Sequence, residues 1–277
     1  MLETITAVNG AVNGVVWGPL GLALLFGAGV MLSVRTGFFQ LVHFRYWMRQ
    51  TIGAIFTDRS VTAHTGTDDQ AISQFQSLCT ALAATIGTGN IVGVATAILS
   101  GGPGAVFWMW VMAILGMMTS FSENVLGIFY RHKNEEGAWQ GGAMYYLADG
   151  LGRKKGCKQL GRVLAVLFAC FCILASFGIG NMGQINKIVL NMKSAFFGGV
   201  TATVGGMSVV SLACGIVLMI LAALIVIGGL QRIATVAERV VPFMAVLYII
   251  GSLIVFFTHI SSVGAMFAAI FRFAFGS

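Results

Sequence analysis

The sequence predicts an all-α protein that crosses a membrane several times, and three observations carry that prediction. Hydrophobic residues fill 57% of the 277 positions and charged residues only 9%, against roughly 45–50% apolar and about 25% charged in soluble domains. Apolar runs recur that are long enough to cross a hydrocarbon core about 30 Å thick, for which roughly 20 helical residues suffice. The runs are continuous and rich in Leu, Ile, Ala, Met and Gly, whereas the strands of a membrane β-barrel are short and alternate. Membrane lipid is therefore the expected surroundings. The formal charge of +7 does not point to nucleic acid, because the basic residues sit in loops between apolar runs, without a basic helix or an aromatic-interleaved patch.

Apolar runs bounded by charge or by Gly and Pro clusters give six expected spans, at residues 15–34, 73–99, 105–130, 163–189, 209–228 and 233–258. Ahead of the first, Glu3 and the lack of any Lys or Arg through Asn13 leave no basic region of the kind a cleaved signal needs, so this span is expected to stay in the chain. Residues 38–56 mix Phe38, Phe39, Leu41, Tyr46 and Trp47 with His43, Arg45 and Arg49, the composition of a helix lying at the interface. Most Lys and Arg residues then fall on one side: Arg35 to Arg59, Arg131 to Arg162, and Arg232 with Arg239, leaving Lys187, Lys193 and Arg272 toward the other. By the positive-inside rule the basic loops are cytoplasmic and the N-terminus is outside, in a cell or inner membrane. With six spans, residues 260–277 return to the outer face. Of the five cysteines, Cys79, Cys170, Cys172 and Cys214 lie in apolar runs as small hydrophobes, and no Cys-x-x-Cys spacing marks a metal or disulfide site.

The second span holds the densest chemistry. Thr85-Ile86-Gly87-Thr88-Gly89-Asn90-Ile91-Val92-Gly93 sets three glycines and three polar side chains near the middle of an apolar run. Glycine costs about 1 kcal/mol against alanine in a helix interior, so the cluster marks a place for the helix to open. In secondary transporters such openings lie near the midplane, where half-helix N-termini face an anionic group and freed carbonyls coordinate sodium. Thr85, Thr88 and Asn90 would add neutral oxygens suited to a hard cation. The competing reading takes Gly89 and Gly93 as a small-xxx-small packing face. A dinucleotide fingerprint is excluded by the Gly-x-Gly-x-x-x-Gly spacing and the absence of a preceding strand.

Next comes Gly101-Gly102-Pro103-Gly104-Ala105-Val106-Phe107-Trp108-Met109-Trp110, a tight turn followed by an aromatic belt at the outer interface. This run closely resembles the signature of the alanine or glycine:cation symporter family, the sodium:alanine symporters. So do Ala83 to Ile91, Gly141-Gly142 with Tyr145-Tyr146, and Ser176 to Asn186, and the resemblance covers essentially the whole chain. It implies the first half of a leucine-transporter-like inverted-repeat fold: residues 1–36 a peripheral transmembrane helix, 37–72 a cytoplasmic interfacial segment, 73–259 a five-helix first repeat, and 260–277 an extracellular segment leading toward a second repeat. Ala143 departs from the proline expected after the paired glycines. Length departs further, since two five-helix repeats with peripheral additions need ten or eleven spans and six are found.

The activity implied is sodium-coupled symport of alanine or glycine by alternating access, with sodium as coupling ion, no organic cofactor and no catalytic residue. Thr85, Gly87, Thr88, Gly89 and Asn90 would hold the substrate carboxylate, with sodium at Thr85, Thr88 and Asn90. Phe177 and Gln184, on the helix opposite, would shape the pocket, with Asn181 on the same face as Gln184; helix-to-helix hydrogen bonding by these amides is the alternative. Lys187, near the outer end, reads as a snorkelling residue. Glu123, an acid inside a span, is either a structural partner for a basic residue or a coupling or gating group. Glu238 with Arg239 reads as a structural pair or a gate. The competing function is a half-transporter that inserts but does not transport without a complementary segment; a channel and a membrane enzyme stand behind it.

Overall fold

The structure, a computed structural model, describes residues 2–62, 72–135, 137, 139–178, 182–200, 202–204 and 207–276. Helices α1 (Leu2–Val16) and α2 (Pro19–Arg35) form one apolar span over Thr6–Arg35. It starts nine residues before the expected run because Asn9, Gly10, Asn13 and Gly14 dilute the hydrophobicity of α1 without breaking it. Pro19 opens α2 at a position where its missing N–H costs nothing. A turn through Gly37 (φ 63°) and Phe38 (φ 54°) leads into short helices α3 (Phe39–Val42), α4 (Phe44–Met48), α5 (Ala54–Thr57) and α6 (Arg59–Thr62), with a π-helical turn at Arg49–Gly53. Gln40 pins this segment back: its side-chain N–H donates to Ser33 Oγ at 3.0 Å, and its main-chain carbonyl accepts from Trp47 Nε1 at 3.1 Å.

The second span is broken. Helix α7 (Gln74–Thr85) and the unit Thr88–Gly101 are bent by 65° to one another. That unit comprises a 3-10 turn at Thr88–Asn90 and α8 (Val92–Gly101). Gly102 (φ 70°) and Pro103 then turn the chain into α9 (Gly104–Phe129), an uninterrupted span. After a small hairpin pairing His132–Lys133 with Trp139–Gln140 come α10 (Ala143–Tyr145) and a π-helical turn at Tyr146–Leu151.

The fourth expected span, continuous over 163–189, is corrected by the structure. Helix α11 (Lys158–Ser176) ends there, and α12 (Met182–Phe196) is a separate helix. The local cause is at the α11 C-terminus, where Phe177 N–H and Gly178 N–H bond three residues back, to Leu174 and Ala175. Ser176 Oγ also donates to the Ile173 carbonyl at 2.7 Å, a side-chain bond that competes with helix continuation.

Two further spans follow, α13 (Val209–Val226) and α14 (Gly229–Thr258), and then α15 (Ile260–Phe275). The described residues thus hold five helices able to cross a membrane, six counting the broken pair, in the order expected. Helix α14 begins at Gly229 rather than 233, so Arg232 lies inside its first turn. The C-terminal segment is an apolar helix laid against the start of α9: Trp108 Nε1 donates to the Ala274 carbonyl at 3.2 Å, and Phe107 meets the rings of Phe271 and Phe275. A side chain at position 104 would run into the Phe273 backbone, which explains Gly104.

Large apolar side chains are exposed along every span, as lipid-facing surfaces require. The buried core is small. Its main cluster joins Cys79 of α7 to Ala237 and Val241 of α14, with Phe75 and Leu82 packed against it.

Candidate functional site: the helix break

Helix α7 is tied down firmly at its start. Ser73 Oγ accepts from the Gln76 N–H at 3.1 Å while Gln76 Oε1 accepts from the Ser73 N–H at 3.1 Å, a capping box that satisfies two of the helix's otherwise unpaired donors. Gln76 Nε2 in turn donates to Glu238 Oε2 of α14 at 3.0 Å. Of the two residues read as a pair or gate, Glu238 thus engages α7, while Arg239 stands exposed. From this anchored end α7 runs to Thr85, whose Oγ1 folds back to the Ala81 carbonyl at 2.8 Å. Ile86 and Gly87 then go extended, and the helical ladder stops.

The break is stabilised by its own polar residues. Asn90 Nδ2 donates to the Thr85 carbonyl at 3.2 Å, a group that the helix would have satisfied had it continued. Asn90 N–H bonds the Gly87 carbonyl at 3.1 Å, closing the short 3-10 turn. Across from the break lies α12. A cavity of about 330 Å³ opens between them, lined by Thr85, Gly87, Thr88, Gly89, Asn90 and Gln184, with Ala84, Gly183 and Lys187. Gln184 comes so close that a Cβ at position 87 would sit 3.0 Å from its Nε2. The close approach gives Gly87 a steric reason to be glycine, whereas a Cβ at Gly89 or Gly93 would meet nothing within 4 Å.

Six of the seven residues expected at the substrate site therefore share one cavity, including all three candidate sodium ligands. Phe177 does not join them: it is 70% exposed at the end of α11 and is no part of this lining. Asn181 lies outside the described residues. Lys187, read from sequence as a snorkelling residue, lines the cavity instead. Its signal was its spacing of three from Gln184, which puts both on one helix face. Glu123 stands exposed on α9. Burial first, and the Glu123 charge second, push the Tyr146 phenol above its ordinary pKa, which places the acid near the loop after the hairpin.

Such a site can hold an ion or a small polar solute by neutral oxygens and backbone groups, without a covalent step. Comparison with known proteins identifies the family. The sodium:alanine symporter family model matches residues 2–277. A sodium/alanine symporter, AgcS, of Methanococcus maripaludis is 41% identical over 274 residues, 99% of this chain and 55% of its own length. An uncharacterized transporter of Haemophilus influenzae is 42% identical over 262 residues, 94% of this chain and 51% of its own. The chain spans about half the length of the curated relatives it matches, and these relatives are transporters rather than enzymes. This multi-pass membrane protein belongs to the sodium:alanine symporter family.

Proposed function

We propose that the chain serves sodium-coupled symport of a small neutral amino acid, alanine or glycine, by alternating access. The observation that carries this is the polar cavity at the break, where Thr85, Gly87, Thr88, Gly89, Asn90 and Gln184 converge between otherwise apolar helices. A broken span supplies what an ion-coupled carrier needs: carbonyls released from the helix and a new helical N-terminus directed at the break. In this reading the substrate carboxylate lies against the 3-10 turn Thr88–Asn90, and Thr85, Thr88 and Asn90 contribute oxygens to sodium. The name of AgcS points to the same substrate class.

The helices from α7 to α14 are read as the first five-helix repeat of a leucine-transporter-like fold, with α1 and α2 as the peripheral span. The 65° bend in the first member of the set supports that arrangement. Glu238 and Gln76 tie the inner half of the broken span to α14 and are assigned a gating or structural role, as is Glu123. Charge bias orients the protein with its N-terminus outside and the loop Arg153-Lys154-Lys155 in the cytoplasm of a cell or inner membrane. A cysteine introduced as Lys154→Cys should resist impermeant thiol reagents in sealed cells, and ready labelling there contradicts the orientation.

The function is tested by reconstituting the purified protein in liposomes with an inward sodium gradient. Accumulation of alanine above equilibrium, lost when the gradient is collapsed, supports the symport reading, and membrane insertion without accumulation supports the half-transporter. Alanine entry indifferent to the gradient contradicts the reading.

A further inference from the structure

One charged residue lines the cavity at the break. Thr85, Thr88, Asn90 and Gln184 bring neutral polar groups, and Lys187, one turn beyond Gln184 on α12, brings the sole charge among the described lining residues. Lys187 also lines the neighbouring cavity of about 320 Å³, with Thr88, Asn191 and otherwise apolar residues, and no carboxylate belongs to that lining either. A cation held at the break alone would therefore face a fixed positive charge with no acid beside it. A zwitterionic amino acid brings its own carboxylate, which the same charge attracts.

We propose that Lys187 sets the order of binding, drawing in the amino-acid carboxylate and keeping sodium from occupying the break alone, so that substrate enters ahead of sodium. This rests on the symporter reading of the site. Two unit charges about 10 Å apart, at an effective dielectric of about 20, shift a dissociation constant by roughly tenfold, the size expected for sodium; a zwitterion with its carboxylate nearer the lysine than its ammonium is favoured less, by about twofold, and neither effect needs direct contact. The coupling between substrate and sodium comes from their own mutual attraction and is reciprocal. Lys187 adds to one affinity and subtracts from the other, and leaves the coupling factor unchanged. A residue that merely supports the fold would weaken both ligands or neither.

The test is equilibrium binding of radiolabelled sodium and radiolabelled alanine, each measured with and without the other, to purified wild type, Lys187→Met, Lys187→Gln and Lys187→Arg. Both neutral variants should bind sodium about tenfold more tightly and alanine about twofold more weakly, with the factor by which each ligand helps the other preserved. Lys187→Arg, which keeps the charge, should match wild type. Alaninamide, a cation without a carboxylate, should bind Lys187→Met more tightly than wild type, as sodium does. Affinities that move together, fail to move, or change as much in Lys187→Arg overturn the proposal. Asn90→Leu run beside them separates the two claims. If it abolishes binding of both ligands while the neutral Lys187 variants change nothing, only the role of Lys187 fails; if it leaves both intact, the site reading itself fails.

Discussion

The two halves of the broken span are held in place differently. Helix α7 buries Gln76 and Cys79, opens with a capping box, bonds Glu238 and packs along α14. Helix α8 has no buried residue, no side-chain cap at its start, and packs chiefly on α9, which it joins through Gly102 and Pro103. Between them the backbone groups that one continuous helix would have used internally meet Asn90 and the cavity. An anchored half beside a lightly held half fits the gated site proposed above, because the element that moves is drawn from the weakly stabilised part of a structure. Substitutions in α7 should therefore act on stability, and substitutions at the break on ligand binding.

Asn90→Leu should separate the two most strongly. Losing the amide that bridges the break, together with an oxygen proposed for sodium, is expected to weaken sodium-dependent alanine binding about a hundredfold, the loss of two polar contacts of roughly 1.4 kcal/mol each. Its thermal unfolding in detergent should change little, since Asn90 is exposed. Equal loss of stability and binding would return the glycine cluster to a packing role. Gly87→Ala comes next: the added methyl must displace the end of the Gln184 side chain, and about a tenfold loss of alanine affinity is expected, equivalent to roughly 1.4 kcal/mol. Unchanged affinity would remove Gln184 from the site.

The remaining two changes fall on the anchored half. Gln76→Ala removes both the reciprocal cap and the bond to a half-buried Glu238, and should cost roughly 1–3 kcal/mol in unfolding experiments, with ligand affinity preserved once the protein is folded. Ser73→Ala breaks the cap alone and should cost about 1 kcal/mol. Should either variant change alanine affinity more than Asn90→Leu does, the division between the halves would collapse.

What the sequence made legible follows the same division. Thr85 to Gly93 announced a break because glycine and amide side chains in an apolar run have local consequences, and Gly101 to Gly104 marked the turn that follows it. The end of α11 was missed although Gly178, Gly180 and Gly183 follow Ser176, because Phe177, Ile179 and Met182 continue the apolar character of the run between them. That missed boundary put Phe177 on the same helix as Gln184, whereas the structure leaves it exposed and away from the cavity. The approach of Gln184 to Gly87 and the place of Lys187 in the lining depend on how α12 docks against the break, which no local pattern encodes. The bond from Gln76 to Glu238 joins residues 162 positions apart, and the sequence offered only an acid read with its neighbour Arg239 as a structural pair or a gate.

The most direct test of the central claim is to measure alanine affinity as a function of sodium concentration, and sodium affinity as a function of alanine, in wild type and in Asn90→Leu. The account predicts that each ligand tightens the other by the same factor in wild type, and that Asn90→Leu loses both. Alanine binding that ignores sodium, or that survives intact in Asn90→Leu, would contradict the assignment of the break as the coupled site.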